Sequence, residues 1–198
     1  TMANKPRLPI EHTVEYSTPW FDLVAKRIGN NPAPFYSLRM QDYVSVVALT
    51  SQREIIMVQQ YRPAIEQHTL ELPAGHVEPH LTPEESARRE LQEETGFTTA
   101  QLTLLGTLFS DTGRHENKMW CYLAQTVMPP TADWQPEDGI EVTLVPIDQL
   151  STMLTDGRFN HALHIAALML AAPHHASISN VLLSNRKHSE LRGGARRT

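Results

Sequence analysis

The sequence predicts an α+β fold, an α/β/α sandwich on a mixed β-sheet, preceded by a small subdomain of strands. Three observations predict it. Apolar, β-branched runs outnumber helical stretches. The helical stretches do not alternate regularly with the strands, which argues against a doubly wound sheet. One stretch, residues 82–96, carries a complete set of helix start and stop signals. With 198 residues and 40% hydrophobic content, the chain can bury a sizeable core.

Taken in order, residues 12–17, 20–28 and 34–40 read as strands of an N-terminal subdomain spanning residues 1–41. Residues 42–50 and 54–62 are rich in Val and Ile, and the Ser51-Gln52 step between them suits a hairpin. Residues 68–72 form a short strand ending at Pro73, followed by a loop over 75–81. Thr82 then caps a helix, Pro83 fits its first position, and Glu85 completes a capping box. Gly96 stops it. Residues 102–109, 118–127 and 140–146 read as strands. Residues 129–139 form an acidic, proline-rich loop, and 148–154 and 161–172 read as helices. The core domain is assigned to 42–183. Residues 184–198, with Arg186, Lys187, Arg192, Arg196 and Arg197, form a basic tail that reads as a solvated terminus.

Composition narrows the function. A net charge of −5 argues against nonspecific nucleic-acid binding. No apolar run approaches the ~18 residues of a membrane span, and residues 1–8 lack the apolar stretch of a signal peptide. A cytoplasmic protein is expected. The single cysteine, Cys121, lies in an apolar run and reads as a buried strand residue. His161, His164, His174 and His175 have no acidic or cysteine partner at metal-site spacing, so core or surface histidines are expected.

The chemistry concentrates in residues 75–97. On a helix, Glu90, Glu93 and Glu94 fall at i, i+3 and i+4, three carboxylates on one face. Spacing alone favours a solvated acidic helix. A divalent cation would turn the mutual repulsion of these groups into attraction. Hard cations such as Mg²⁺ accept carboxylate, water and phosphate oxygens together. Gly75 upstream, Arg89 directly before Glu90, and Gly96-Phe97 at the end move the balance toward a site.

This segment resembles the Nudix box, Gly-x5-Glu-x7-Arg-Glu-U-x-Glu-Glu-x-Gly-U with U apolar. Gly75, Arg89, Glu90, Leu91, Glu93, Glu94, Gly96 and Phe97 fall on its positions; Leu81 stands where the box has its first glutamate. The resemblance implies the Nudix fold and Mg²⁺ as cofactor, with Mn²⁺ as the alternative. It implies Glu90 and Glu94 as metal ligands, and Glu93 as a ligand or a base for the attacking water. The carbonyl of Ala74 or Gly75 would complete the site. Glu85, one turn before Arg89, is expected to pair with it in place of the glutamate lost at Leu81.

Residues outside the box are similar to those of ADP-ribose and nucleotide-sugar pyrophosphatases. Glu71-Leu72-Pro73-Ala74-Gly75 resembles their ELPAG segment, which brings Glu71 into the substrate site. Gln60-Tyr61-Arg62-Pro63 resembles their Q-Y-R-P segment, which makes Arg62 a phosphate contact; a guanidinium is bidentate and permanently charged. An N-terminal strand region resembles their dimerising subdomain, with Trp20 and Phe21 as candidates to stack on the base and a homodimer as the expected assembly. The acidic stretch 137–141 falls where the family carries a mobile loop. Glu137 is the first candidate for its water-orienting carboxylate, ahead of Asp138 and Glu141. Arg114 is a candidate contact to a terminal phosphate or sugar. No proline occurs between Gly96 and Val127, where ADP-ribose-specific relatives often have one, so ADP-glucose and GDP-mannose stay open beside ADP-ribose. The expected reaction is metal-dependent hydrolysis of a nucleoside diphosphate sugar to a nucleoside monophosphate and a sugar phosphate. A hydrolase of nucleoside triphosphates or dinucleoside polyphosphates, and a non-catalytic nucleotide-sugar sensor, are the alternatives.

Overall fold

The computed structural model describes residues 10–183, so the basic tail lies outside the described residues. Three strands open the chain: β1 (Ile10–Ser17), β2 (Asp22–Ile28) and β3 (Phe35–Arg39). They form their own antiparallel sheet in the order β1-β2-β3. Trp20, expected inside a strand, sits in the β1–β2 turn, where Thr18 Oγ1 accepts hydrogen bonds from the backbone N–H groups of Trp20 and Phe21. A threonine side chain that satisfies the backbone locally favours a turn over a ladder.

The core follows with β4 (Tyr43–Ala48), β5 (Glu54–Arg62), β6 (Gln67–Glu71) and β7 (Ala74–His76). Next come helix α1 (Pro83–Thr95), β8 (Thr103–Leu108), β9 (Met119–Ala124) and β10 (Ile140–Pro146). A single 3₁₀ turn leads into α2 (Leu150–Thr155), followed by α3 (Ala162–Ala171) and α4 (Ala176–Leu182). The core has one sheet in the order β7-β4-β9-β8, with β4 and β9 parallel, and a second in the order β10-β5-β6. The first of these sheets is mixed, as expected, and the second is antiparallel throughout.

The 42–50 and 54–62 runs do not make the expected simple hairpin. β4 and β5 are joined by a tight turn at Arg53, whose φ is 63°. They share only the Leu49–Ile55 bridge before diverging into different sheets. β4 shows why. Its even-numbered residues Val44, Val46 and Ala48 pack under α1, while Val47 belongs to the cluster that includes Ala167 and Leu168 of α3. A strand covered on both faces reads as a continuous apolar run, and continuity says nothing about its neighbours. The segment expected to be loop from residue 75 begins instead as β7, because Ala74, Gly75 and His76 pair with Ser45, Val44 and Tyr43.

α1 matches its sequence signals. Thr82 Oγ1 accepts from Glu85 N–H, and Glu85 closes the capping box, an arrangement worth about 1 kcal/mol. Gly96 ends the helix at φ 73°, a left-handed position that glycine takes without strain. Ala87 and Leu91, one turn apart, are fully buried against β4, which turns the acidic face toward β7. Cys121 is buried in β9, and burial pushes its thiol up to about 12. Among the described residues no helix is long and apolar enough to cross a membrane.

Candidate active site

The site forms where β6, β7 and α1 meet. Glu90 lies directly over Gly75: a β-carbon on Gly75 would overlap the Glu90 carboxylate. The glycine is therefore required by close approach. Glu94 is 6% exposed, and its Oε2 accepts from the Ala74 N–H at 2.9 Å. Burial and the charge of Glu93 push the Glu90 carboxyl up to about 7, with Glu137 adding to the effect. Burial pushes Glu94 to about 8 against the bond from Ala74, and Glu90 adds repulsion. Glu93, whose charge acts on Glu90, accepts from Arg89 Nε at 2.7 Å.

Two desolvated carboxyls that repel each other are a poor arrangement for a protein alone. They are a suitable one for a hard divalent cation, which neutralises both and accepts oxygen donors only. The donor set of Glu90, Glu94 and the Ala74 carbonyl fits such an ion. As placed, Glu93 would leave Arg89 to join it.

The second layer begins at Glu71, 1% exposed. Arg62 donates to both its oxygens, at 2.8 and 2.6 Å, and Thr69 Oγ1 donates at 2.6 Å. Burial opposes ionisation of Glu71, but these bonds outweigh it and hold the carboxyl down at about 2. Glu71 thus orients Arg62, whose charge also reaches Glu94. Behind them, buried His164 accepts the Leu72 N–H on Nδ1 at 3.1 Å. Burial and His161 push His164 down to about 3, so it is neutral.

Glu71, His161 and His164 come within 4.8 Å of one another, the group among the described residues with metal-like spacing. The chain separation of Glu71 from the histidines hid this acidic partner. The Glu71 oxygens and the Nδ1 atom of each histidine are already engaged. Glu71 serves Arg62 and Thr69, His164 Nδ1 serves Leu72, and His161 Nδ1 accepts the His164 N–H at 3.3 Å. The two rings stack 3.8 Å apart at 17°. The cluster braces the strand end that carries Ala74.

The expected Glu85–Arg89 pair does not form. Glu85 Oε2 accepts from the Thr82 N–H and hydroxyl, both at 2.8 Å. Arg89 instead donates to Glu78 Oε2 at 2.8 Å. Capping ties up Glu85, while the loop folds Glu78 back over the helix.

The loop bearing Glu137 leans on the end of α1. An open groove of about 510 Å³ between them is lined by Arg89, Gln92, Glu93, Trp134, Gln135 and Glu137. Trp134 lies so close to Gly96 that a β-carbon there would overlap its ring. Trp20 stands 6.5 Å from His76, ring centre to ring centre and at 27°, and His76 contacts Tyr43 at 4.6 Å. Arg114 lies elsewhere, 4.9 Å over the Phe35 ring of the N-terminal sheet. Glu141 is exposed on β10 opposite Gln59.

A family model described as the NUDIX domain matches residues 39–168. The chain belongs to the Nudix family. Among curated Nudix relatives, it is 34% identical over 107 residues to the ADP-ribose pyrophosphatase of Bacillus subtilis, covering 53% of this chain and 58% of that protein. It is 28% identical over 116 residues to the ADP compounds hydrolase NudE of Escherichia coli, covering 59% and 62%. The chain spans about half the length of the curated relatives it matches. A crystal structure of an ADP compounds hydrolase superposes with a TM-score of 0.71 at 23% identity, over 85% of this chain and 94% of that one. That likeness establishes the Nudix fold.

Proposed function

We propose that this chain is a divalent-metal-dependent pyrophosphohydrolase of nucleoside diphosphate sugars, of the ADP-ribose, ADP-glucose or GDP-mannose type. It would release a nucleoside monophosphate and a sugar phosphate. The observation that carries the reading is the half-buried Glu90 over Gly75 and the buried Glu94 beside it, which repel each other, with Arg62 held nearby by Glu71.

Glu90, Glu94 and the Ala74 carbonyl would hold Mg²⁺ or Mn²⁺, with Glu93 as a further ligand or the base. The metal would supply charge neutralisation at the diphosphate and acidify a water. Arg62 would orient a phosphate: Glu71 engages its Nε and Nη2, leaving the guanidinium's other edge free of that pair. Glu137 would orient the attacking water from its loop. Trp20, with His76 and Tyr43 behind it, would receive the base; Trp20 is 73% exposed, which suits a stacking platform better than a core role. Arg114 and Glu141 remain candidates for contacts at the sugar end.

A homodimer formed through the N-terminal sheet accompanies this reading. Ile10, Val14, Tyr16, Phe35 and Tyr36 are all exposed on that sheet, an apolar concentration that marks an interaction surface.

The test is a hydrolysis panel in Mg²⁺ with ADP-ribose, ADP-glucose, GDP-mannose, UDP-glucose, NADH and dGTP, beside Glu94→Gln. The expected result is cleavage of at least one sugar nucleotide, abolished in the variant. Cleavage of dGTP alone would move the chain to the triphosphate branch. Tight binding without turnover would make it a sensor.

A further inference from the structure

Arg89 stands between two carboxylates. Its Nε donates to Glu93 one turn along α1, and its Nη1 donates to Glu78 in the loop that enters the helix. Glu78 is itself pinned. Its backbone N–H donates to Ser86 Oγ at 3.2 Å, on a residue 1% exposed, and its carbonyl accepts from the Leu81 N–H at 3.1 Å. Leu81 occupies the position of the first box glutamate and has no acceptor to offer Arg89.

We propose that Glu78 is a positioning residue that takes over the carboxylate missing at Leu81, holding Arg89 so that Glu93 remains available to a divalent cation. The inference deepens the reading of α1 as the cation-binding helix and rests on it. An arginine with a single nearby carboxylate closes on it, and a cation must then compete for that carboxylate. A second carboxylate on the other edge of the planar fork shares the positive charge and fixes its orientation. When Glu93 turns toward a cation, Arg89 keeps Glu78 and does not swing into the site. Glu85 does not serve: its Oε2 bonds Thr82, and Arg89 bonds Glu78 and Glu93 instead.

The experiment is calorimetry of Mn²⁺ binding to the nucleotide-free protein, with ADP-ribose hydrolysis and melting temperature measured alongside. The set is the parent, Glu78→Gln, Arg89→Gln, their combination, and Glu78→Gln with Leu81→Glu. Glu78→Gln should weaken Mn²⁺ binding about 10-fold with an unchanged melting temperature. The loss should largely vanish when Arg89 is already glutamine, and Leu81→Glu should restore most of it. Unchanged Mn²⁺ affinity, an equal loss in both arginine backgrounds, a loss that tracks a lowered melting temperature, or no restoration by Leu81→Glu would each overturn the proposal. Calorimetry needs no turnover. A chain that shows this Mn²⁺ pattern yet cleaves none of the sugar nucleotides of the panel above would refute the substrate assignment and keep the role of Glu78.

Discussion

Glu94 combines near-complete burial with a neighbouring carboxylate, and its proton affinity has a consequence for stability. Folding raises its pKa from the ordinary 4.5 to about 8. The folded state therefore holds a proton that the unfolded chain releases. That contribution is fully present below pH 4.5 and is lost as pH rises through about 8. Glu94→Gln removes the charge and keeps an acceptor for Ala74. In chelator at pH 8 the variant should melt higher than the parent by on the order of 10 °C, and the gap should close as pH falls below 4.5. A variant that melts lower at pH 8 would contradict the burial argument. The acid side runs the other way. His164 is depressed to about 3 and Glu71 to about 2, so both withdraw stability as pH falls, His164 from about pH 6.5 and Glu71 from about pH 4.5. At this scale helical spacing placed Glu90, Glu93 and Glu94 on one helix face, but spacing alone favoured a solvated acidic surface; Gly75, Arg89 and Gly96-Phe97, and the resemblance they carry, singled the three out as candidates. Glu78, His164 and Trp134 were not. Their partners lie across folded loops, 11 residues away for Glu78–Arg89 and 92 for Leu72–His164, and no local periodicity encodes such meetings.

Elements were legible where a local device fixes them. The capping box, Pro83 and Gly96 bounded α1 correctly. β10 was bounded at both ends by its apolar run. β7 was missed because three residues around a glycine have no strand pattern of their own; β4 imposes it. α4 was missed because Pro173 and two histidines mask its start, and its one fully buried residue, Ile178, gives no periodicity. The loop between β9 and β10 was legible as acidic, but its docking was not. Trp134 and Pro130 both lie against Gly96 and anchor the loop at the end of α1, and the charge of Glu137 bears on Glu90. Trp134→Ala should lower kcat by ~10- to 100-fold through misplacement of that loop, with KM little changed, and Trp134→Phe should recover most of the loss. A KM effect larger than the kcat effect would place Trp134 in substrate binding.

For the whole molecule, the exposed apolar side chains of the N-terminal sheet predict a two-chain assembly. Sedimentation should show a species of about twice the 22.3 kDa monomer, and Val14→Lys with Tyr16→Lys should shift it toward the monomer. A parent that sediments as a monomer at all concentrations would remove the dimer. The strand content of this region was legible, but its attachment was not. Glu116, in the β8–β9 link, accepts from Ser37 Oγ at 2.6 Å and pairs with Lys26 at 2.8 Å and Arg39 at 3.1 Å, and these bonds hold its carboxyl down at about 2 despite the burial that opposes them. All three partners belong to the N-terminal sheet. A chain cut at residue 41 would keep the plug and lose the socket. The sheet is thus no detachable module, and a chimera that grafts another protein's leading strands onto this core should fold well only if a matching set of cations and a hydroxyl travels with them.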